Sequence, residues 1–285
     1  MITPLLTLPP FAQLGPAEPT LPLLLTVPHA GRDYSAALMA GARVPLNVLR
    51  RLEDRLADLL ITEAVAAGAT ALVAQAPRAL IDLNRASDDM DPAQVAGEWP
   101  EARPSARALA GLGLAPHRLA PDGLLWRERV TAAELRNRIA SIHTPWHGRI
   151  EQLLSLAARR AVDGRAVLLD IHSMPPQGQG GPQIVIGDRF GLTASHSVSA
   201  GIAALAEQRG WRVSRNTPYA GAYALIRHGR AREGMAQAIQ IEIDRRLYLS
   251  EDMRPEPVGL QQVRHFVAAA ARFCCDGDAR FLAAE

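Results

Sequence analysis

Val167-Leu168-Leu169-Asp170-Ile171-His172-Ser173-Met174-Pro175 constrains the fold more than any other stretch. Apolar residues of good strand propensity surround one aspartate, helical periodicity is missing, and proline stops the run. A strand this apolar belongs inside a parallel sheet covered on both faces. Ligands of such sheets sit at the carboxyl ends of strands, where His172 falls. The competing explanation is a strand-end histidine that only bonds to backbone.

A second histidine is placed in the same way. Leu21 to Val27 is an apolar run followed by Pro28-His29-Ala30-Gly31. Proline ends the strand and Gly31 permits a tight turn beside whatever His29 holds. In Gln240-Ile241-Glu242-Ile243-Asp244, the isoleucines Ile239, Ile241 and Ile243 face one way and Gln240, Glu242 and Asp244 the other. A carboxylate in so apolar a strand is costly unless paired, protonated or near a metal. Histidines and carboxylates at the ends of separate strands suggest a catalytic metal with a general base.

Composition narrows the chemistry further. The 285 residues are 48% hydrophobic, which suits one domain, 1–285, with a large core. The two cysteines, Cys274 and Cys275, are adjacent, so any metal must be held by His and carboxylate. All the positive charge is arginine: lysine is absent. Schiff-base lysine chemistry, a Ser-Lys dyad and a P-loop are thereby excluded. With net charge +2 and 5% aromatics, a nucleic-acid groove is not indicated. No apolar run reaches the roughly 20 residues of a membrane span, and the start lacks a basic signal region, so the expected location is the cytoplasm. The sequence makes no prediction of oligomeric state.

Strand and helix patterns alternate along the chain. Leu46 to Ala67 reads as a helix with Leu49, Leu52, Leu56, Leu59 and Leu60 on one stripe, ended by Gly68. Strands are expected at Ala69–Ala74 and Ala79–Leu83, then a loop-rich excursion at about 86–125. Thr131 to Glu134 is a capping box for a helix running towards His143, and Thr144-Pro145 reads as the start of another, to about Ala161. Further strands are expected at Gln183–Ile186 and Trp211–Ser214, with a helix from Thr193 to Arg209 between them. A Gly-rich loop from Asn216 to Gly229 leads to the Glu242 strand, and a helix at Val258–Phe273 closes the chain. The proline-rich N-terminal stretch suits an extended edge segment. This alternation predicts a three-layer α/β/α fold with a mainly parallel sheet.

A catalytic metal needs three protein ligands and an open position. His29 and His172 supply two. Glu53, Asp54 and Asp58 are candidates for the third, with Asp54 and Asp58 sharing a helix face; plain solvent exposure is the alternative. Asn84-Arg85 could grip a substrate carboxylate or simply turn the chain. His147 lies one turn beyond His143 and could support the site from behind. His117, His196 and His265 look like surface or packing residues. Ser173 lacks a Gly-x-Ser-x-Gly setting and is no convincing nucleophile.

Taken in order, these segments resemble the N-formylglutamate amidohydrolase family, from Val27 to about Tyr248. The resemblance is carried by Pro28-His29-Ala30-Gly31, the Asp54/Asp58 segment, Ile81-Asp82-Leu83-Asn84-Arg85 and Pro145-Trp146-His147. It continues through Asp170 to Pro175, Ile186-Gly187-Asp188-Arg189, Pro218-Tyr219-Ala220-Gly221 and Ile239 to Arg245. Ala30 stands where the family usually has Ser, and Ala222 where it has Gly; residues 86–125 match poorly. The resemblance implies a zinc-carboxypeptidase-like fold and a zinc-dependent deformylase of the cytoplasm. Its reaction would turn N-formyl-L-glutamate into L-glutamate and formate, a late step of histidine breakdown. In that scheme His29, His172 and Asp54 (Glu53 as the alternative) hold Zn2+ or another divalent metal, and Glu242 is the general base. Asn84, Arg85 and, less strongly, Arg227 bind substrate carboxylates. A hydrolase for another N-acyl amino acid or small peptide, and a non-catalytic carboxylate binder, remain open alternatives.

Overall fold

The computed structural model describes residues 5–229 and 236–281, with side chains as far as 276. The chain forms two compact units. One comprises Met1–Ala12, Pro28–Asp54 and Val73–Arg149; the other comprises Gln13–Val27, Arg55–Leu72 and Ile150–Glu285.

Most of a seven-stranded sheet lies in the second unit. Its strands are β1 (Phe11–Leu14), β2 (Leu23–Val27), β3 (Thr70–Ala74), β4 (Val167–Met174), β5 (Ile184–Gly187), β6 (Val213–Arg215) and β7 (Gln237–Asp244). Their order is β1-β3-β2-β4-β7-β5-β6, which leaves the N-terminal strand at an edge, as expected. Strand β4 is parallel to β2 and β7, and β6 is parallel to β5; β5 runs antiparallel to β7. Every residue of β2, β4 and β7 is buried, so both faces of the central sheet are covered. The register pairs Thr26 with Asp170, Asp170 with Gln240 and His172 with Glu242, which fixes the polar residues at two successive levels on one face of the sheet.

Helices cover this sheet. They are α3 (His196–Glu207), capped by the Ser195 hydroxyl accepting from Val198 N–H, α4 (Tyr223–His228) and α5 (Pro257–Phe281). Helix α3 packs on β5 and β6, α4 on β7 and β4, and α5 on β2 and β4. The stretch 216–229, expected to be all loop, thus contains a helix whose Ala224 and Leu225 are buried. Among the described residues no helix is long and apolar enough to cross a membrane.

The first unit is built from short elements. Its helix α1 (Ala132–Arg138) starts as expected, with the Thr131 hydroxyl accepting from Glu134 N–H at 3.1 Å. It then passes through one π turn, Ile139–His143, into α2 (Thr144–Ala158), whose residues from Ile150 onward belong to the second unit. Thr144 is therefore helical (φ −62°, ψ −47°), and no new helix begins there. The wider π turn relieves the crowding that Pro145 would impose on a regular α ladder.

Two other expectations fail for backbone reasons. The single helix expected over Leu46–Ala67 is broken: Glu53 is extended (ψ 148°) and Leu56 is left-handed (φ 57°). Asp54 and Asp58 accordingly do not share a helix face. Ala79–Leu83 is not a strand but a fully buried turn, in which Leu80 and Ile81 N–H donate to Pro77 C=O. Asp82 N–H is satisfied by Leu114 C=O at 2.7 Å, so part of the 86–125 excursion serves as its backbone partner. That excursion contributes the buried Met90, Trp99 and Leu114 and is tied by two short ribbons, Val95–Ala96 with Val130–Thr131 and Arg118–Leu119 with Gly123–Leu124.

Candidate active site

In the first unit, chain reversals gather acids around His29. Proline 28 ends the β2 segment, and the close approach of Gly31 to Ala76 C=O leaves no room for a side chain, since a Cβ there would lie 1.9 Å away. The break at Glu53 lets Asp54 N–H donate to His29 C=O at 3.0 Å. Asp54 Oδ2 then sits 3.3 Å from His29 Nδ1, and both side chains are 3% exposed. Two donors at the usual zinc distances in a tetrahedral site are about 3.3 Å apart, so this pair has the spacing of neighbouring ligands. Glu53 is also buried, while Asp58 is half-buried on the following 3-10 turn.

The other ring nitrogen of His29 faces Asp82. Nε2 to Oδ1 is 2.7 Å, and Asp82 is completely buried. Burial alone would raise the Asp82 carboxyl, but Arg78, His29 and Arg85 outweigh it and hold it well below the usual carboxylate range. An ionised carboxylate only accepts, so Nε2 carries the proton and Nδ1 presents a lone pair. Asp82 also accepts from Arg78 Nε at 2.8 Å and from Asn84 N–H at 2.9 Å.

The turn that carries Asn84 and Arg85 is held from α2 and the π turn. His147 Nε2 donates to Leu83 C=O at 3.0 Å and His143 Nε2 to Arg85 C=O at 2.8 Å, with the two rings 4.5 Å apart. His147 is fully buried and acts on the backbone of this turn. Arg85 lies 3.8 Å from Asp82 and 3.7 Å from Asp89, both longer than a hydrogen bond. Burial lowers the pKa of its guanidinium, partly offset by Asp82.

In the second unit the pattern of His29 recurs. His172 Nε2 and Asp170 Oδ2 are 2.8 Å apart on one face of β4, and Asp170 Oδ1 accepts from Thr26 on β2 at 2.6 Å. The strand period of two puts donor and acceptor side by side, and Nδ1 of His172 is again the lone-pair nitrogen. On β7, Glu242 Oε1 accepts from Gln240 Nε2 at 2.7 Å. Arg227 is committed elsewhere, to Glu151 (3.0 Å from Nε) and to the Tyr223 hydroxyl (2.9 Å). His196 and His265, expected as surface or packing residues, are exposed and contact Arg215 (3.1 Å) and Glu63 (3.4 Å).

His29, Asp54 and His172 are each buried and each offers one ligand atom suited to a metal. The residues not singled out for a role from sequence are Asp82, Asp170 and Gln240. Asp170 carried a readable signal, an acid two residues before His172 in an apolar strand.

Residues 21–249 match the model of the N-formylglutamate amidohydrolase family. The N-formylglutamate deformylase of Pseudomonas aeruginosa is 29% identical over 245 residues, covering 81% of this chain and 83% of that protein. The crystal structure of N-formylglutamate amidohydrolase from Ralstonia eutropha matches with a TM-score of 0.87 and 30% identity, over 96% of this chain and 99% of that one. A gene product of Agrobacterium tumefaciens shares the fold, with a TM-score of 0.63 and 19% identity over 94% of this chain and 95% of that one.

Proposed function

Because the chain belongs to the N-formylglutamate amidohydrolase family, we propose that it hydrolyses N-formyl-L-glutamate to L-glutamate and formate. The observation that carries the chemistry is the repeated pairing of a buried carboxylate with histidine Nε2, at His29 and at His172. Carboxylates placed behind histidines fix the tautomer and raise the basicity of the nitrogen that binds a metal. Two histidine nitrogens and one carboxylate also form a donor set typical of catalytic zinc with an open position. His29, Asp54 and His172 would hold the ion, zinc being the best match.

A bound divalent metal supplies Lewis acidity, lowering the pKa of water and polarising the acyl oxygen. Glu242 takes the proton of the attacking water and delivers it to the departing amine nitrogen, so the amide bond breaks without expelling an anion. Asn84 and Arg85 bind a substrate carboxylate, on a turn held in place by His143 and His147. Arg227 would serve a second carboxylate only by exchanging its Glu151 partner for substrate. A free small amino-acid derivative as substrate fits a cytoplasmic enzyme of histidine breakdown.

A panel of N-formyl and N-acetyl amino acids, assayed before and after chelation, tests this reading. N-formyl-L-glutamate is expected to have the highest kcat/KM, with activity lost to chelator and restored by zinc. Preference for another acyl group would move the substrate assignment, and chelator-resistant turnover would remove the metal.

A further inference from the structure

We propose that Gln240 is a positioning residue for this reaction, holding Glu242 in the orientation from which it transfers the proton. The proposal rests on the reading of Glu242 as the general base.

Gln240 is 4% exposed in a strand otherwise rich in isoleucine, where a side-chain amide is costly unless bonded at both ends. Both ends are bonded. Its Oε1 accepts from Ala222 N–H at 3.3 Å, and its Nε2 donates to Glu242 Oε1 at 2.7 Å. The Ala222 anchor is itself fixed. A Cβ on Gly187, the register partner of Gln240 on β5, would lie 2.8 Å from Ala220 C and Gly221 N, so this loop is pressed directly on the sheet. The terminal torsion of a glutamate is broad and two-fold, so a carboxylate held at one oxygen gains a defined plane. Only an amide of this length offers both the acceptor for Ala222 and the donor for Glu242.

The neighbouring strand shows the same device. Gln240 is in register with Asp170 and Glu242 with His172. On each strand the inner residue grips the outer one across the strand period of two, at 2.7 Å and 2.8 Å. Asp170 sets the tautomer of His172, and Gln240 sets the carboxylate plane of Glu242.

The test compares wild type, Gln240→Met, Glu242→Gln and the double variant for kcat, KM, metal content and Tm. A misplaced group costs up to ~10²-fold in rate, so Gln240→Met should lower kcat by about 10–100-fold. Its KM should stay within about two-fold, because ground-state binding is untouched. Metal content should not change. In the Glu242→Gln background, Gln240→Met should cost nothing further, since residues acting as a unit are not additive. Losses that multiply in the double variant, or a change confined to KM, would overturn the proposal while leaving Glu242 as the base. Near-wild-type turnover of Glu242→Gln would instead remove the base, and this proposal with it. Should Gln240→Met fail to fold, Gln240→Asn keeps an uncharged amide but is one methylene too short to hold Ala222 and Glu242 at once; wild-type kcat in that variant would equally overturn the proposal.

Discussion

Changing Asp170 to asparagine would leave His172 a partner of the same shape that still accepts from Nε2 but carries no charge. The tautomer would survive and the basicity of Nδ1 would drop. We expect Asp170→Asn to weaken metal affinity by about 10–100-fold, the usual worth of such outer partners, with Asp82→Asn acting likewise on His29. Metal titration checks both; unchanged affinity would leave the paired carboxylates without a role in metal binding. Glu242→Gln should retain metal and lower kcat by ~10²–10⁴-fold, as measured by turnover and metal content together. If Glu242 were instead one half of a broken buried pair, Tm would fall and turnover would hold. The two histidine candidates and the proposed base were legible, because His29 and His172 each end an apolar run and Glu242 interrupts one. Asp82 was not. Its partner His29 is 53 residues away, and no local spacing links two residues across a turn that is buried rather than extended.

Strands carried most of the readable information among the elements. The apolar runs behind β2, β3, β4 and β7 appear within two residues of their expected bounds, because burial on both faces leaves little else for such a run to do. Helix periodicity misled at Leu46–Ala67, where the leucines of the stripe bury themselves from a broken chain as well as they would from a helix. Leu49, Leu52 and Leu60 are all buried, yet Leu56 between them turns left-handed. That break carries Asp54 to His29, so the failed reading coincides with the candidate site. Gly187 makes the corresponding test on the sheet. Gly187→Ala would drive a Cβ into the backbone of Ala220 and Gly221, which has no flexible end to swing aside. We expect a loss of about 1–3 kcal/mol in chemical denaturation, as for overpacking generally. Turnover should also fall, because the Ala222 anchor of Gln240 shifts with the loop. A neutral substitution would mean that the loop moves freely.

For the molecule as a whole, alternating β and α patterns and a lysine-free composition were readable at once, but the division into two units was not. The first unit is stitched from Met1–Ala12, Pro28–Asp54 and Val73–Arg149, and its elements are too short for periodicity to reveal. Each unit nevertheless carries a carboxylate whose pKa the fold lowers. Asp33 is raised by burial but lowered further by the Thr7 hydroxyl and the Leu8 and Thr7 N–H groups. Asp188 is raised by burial but lowered further by Ser199, Asn216, Gly191 N–H and Arg215. The folded state therefore prefers both groups ionised more strongly than the unfolded chain does. Their contribution is complete above the unfolded value of about 3.9 and is lost as pH falls through the lower folded values. Wild-type Tm should accordingly hold between about pH 5 and 7 and decline steeply below about pH 4. Asp188→Asn cannot be protonated. It should be less stable than wild type at neutral pH, should lose less on acidification, and should converge with wild type at the acid end, where the native aspartate is neutral too. Asp33→Asn should behave alike in its own unit. Tm measured across pH for the three proteins decides the matter: variants that keep the full wild-type slope below pH 4 would show that the acid sensitivity of this fold lies in other carboxylates.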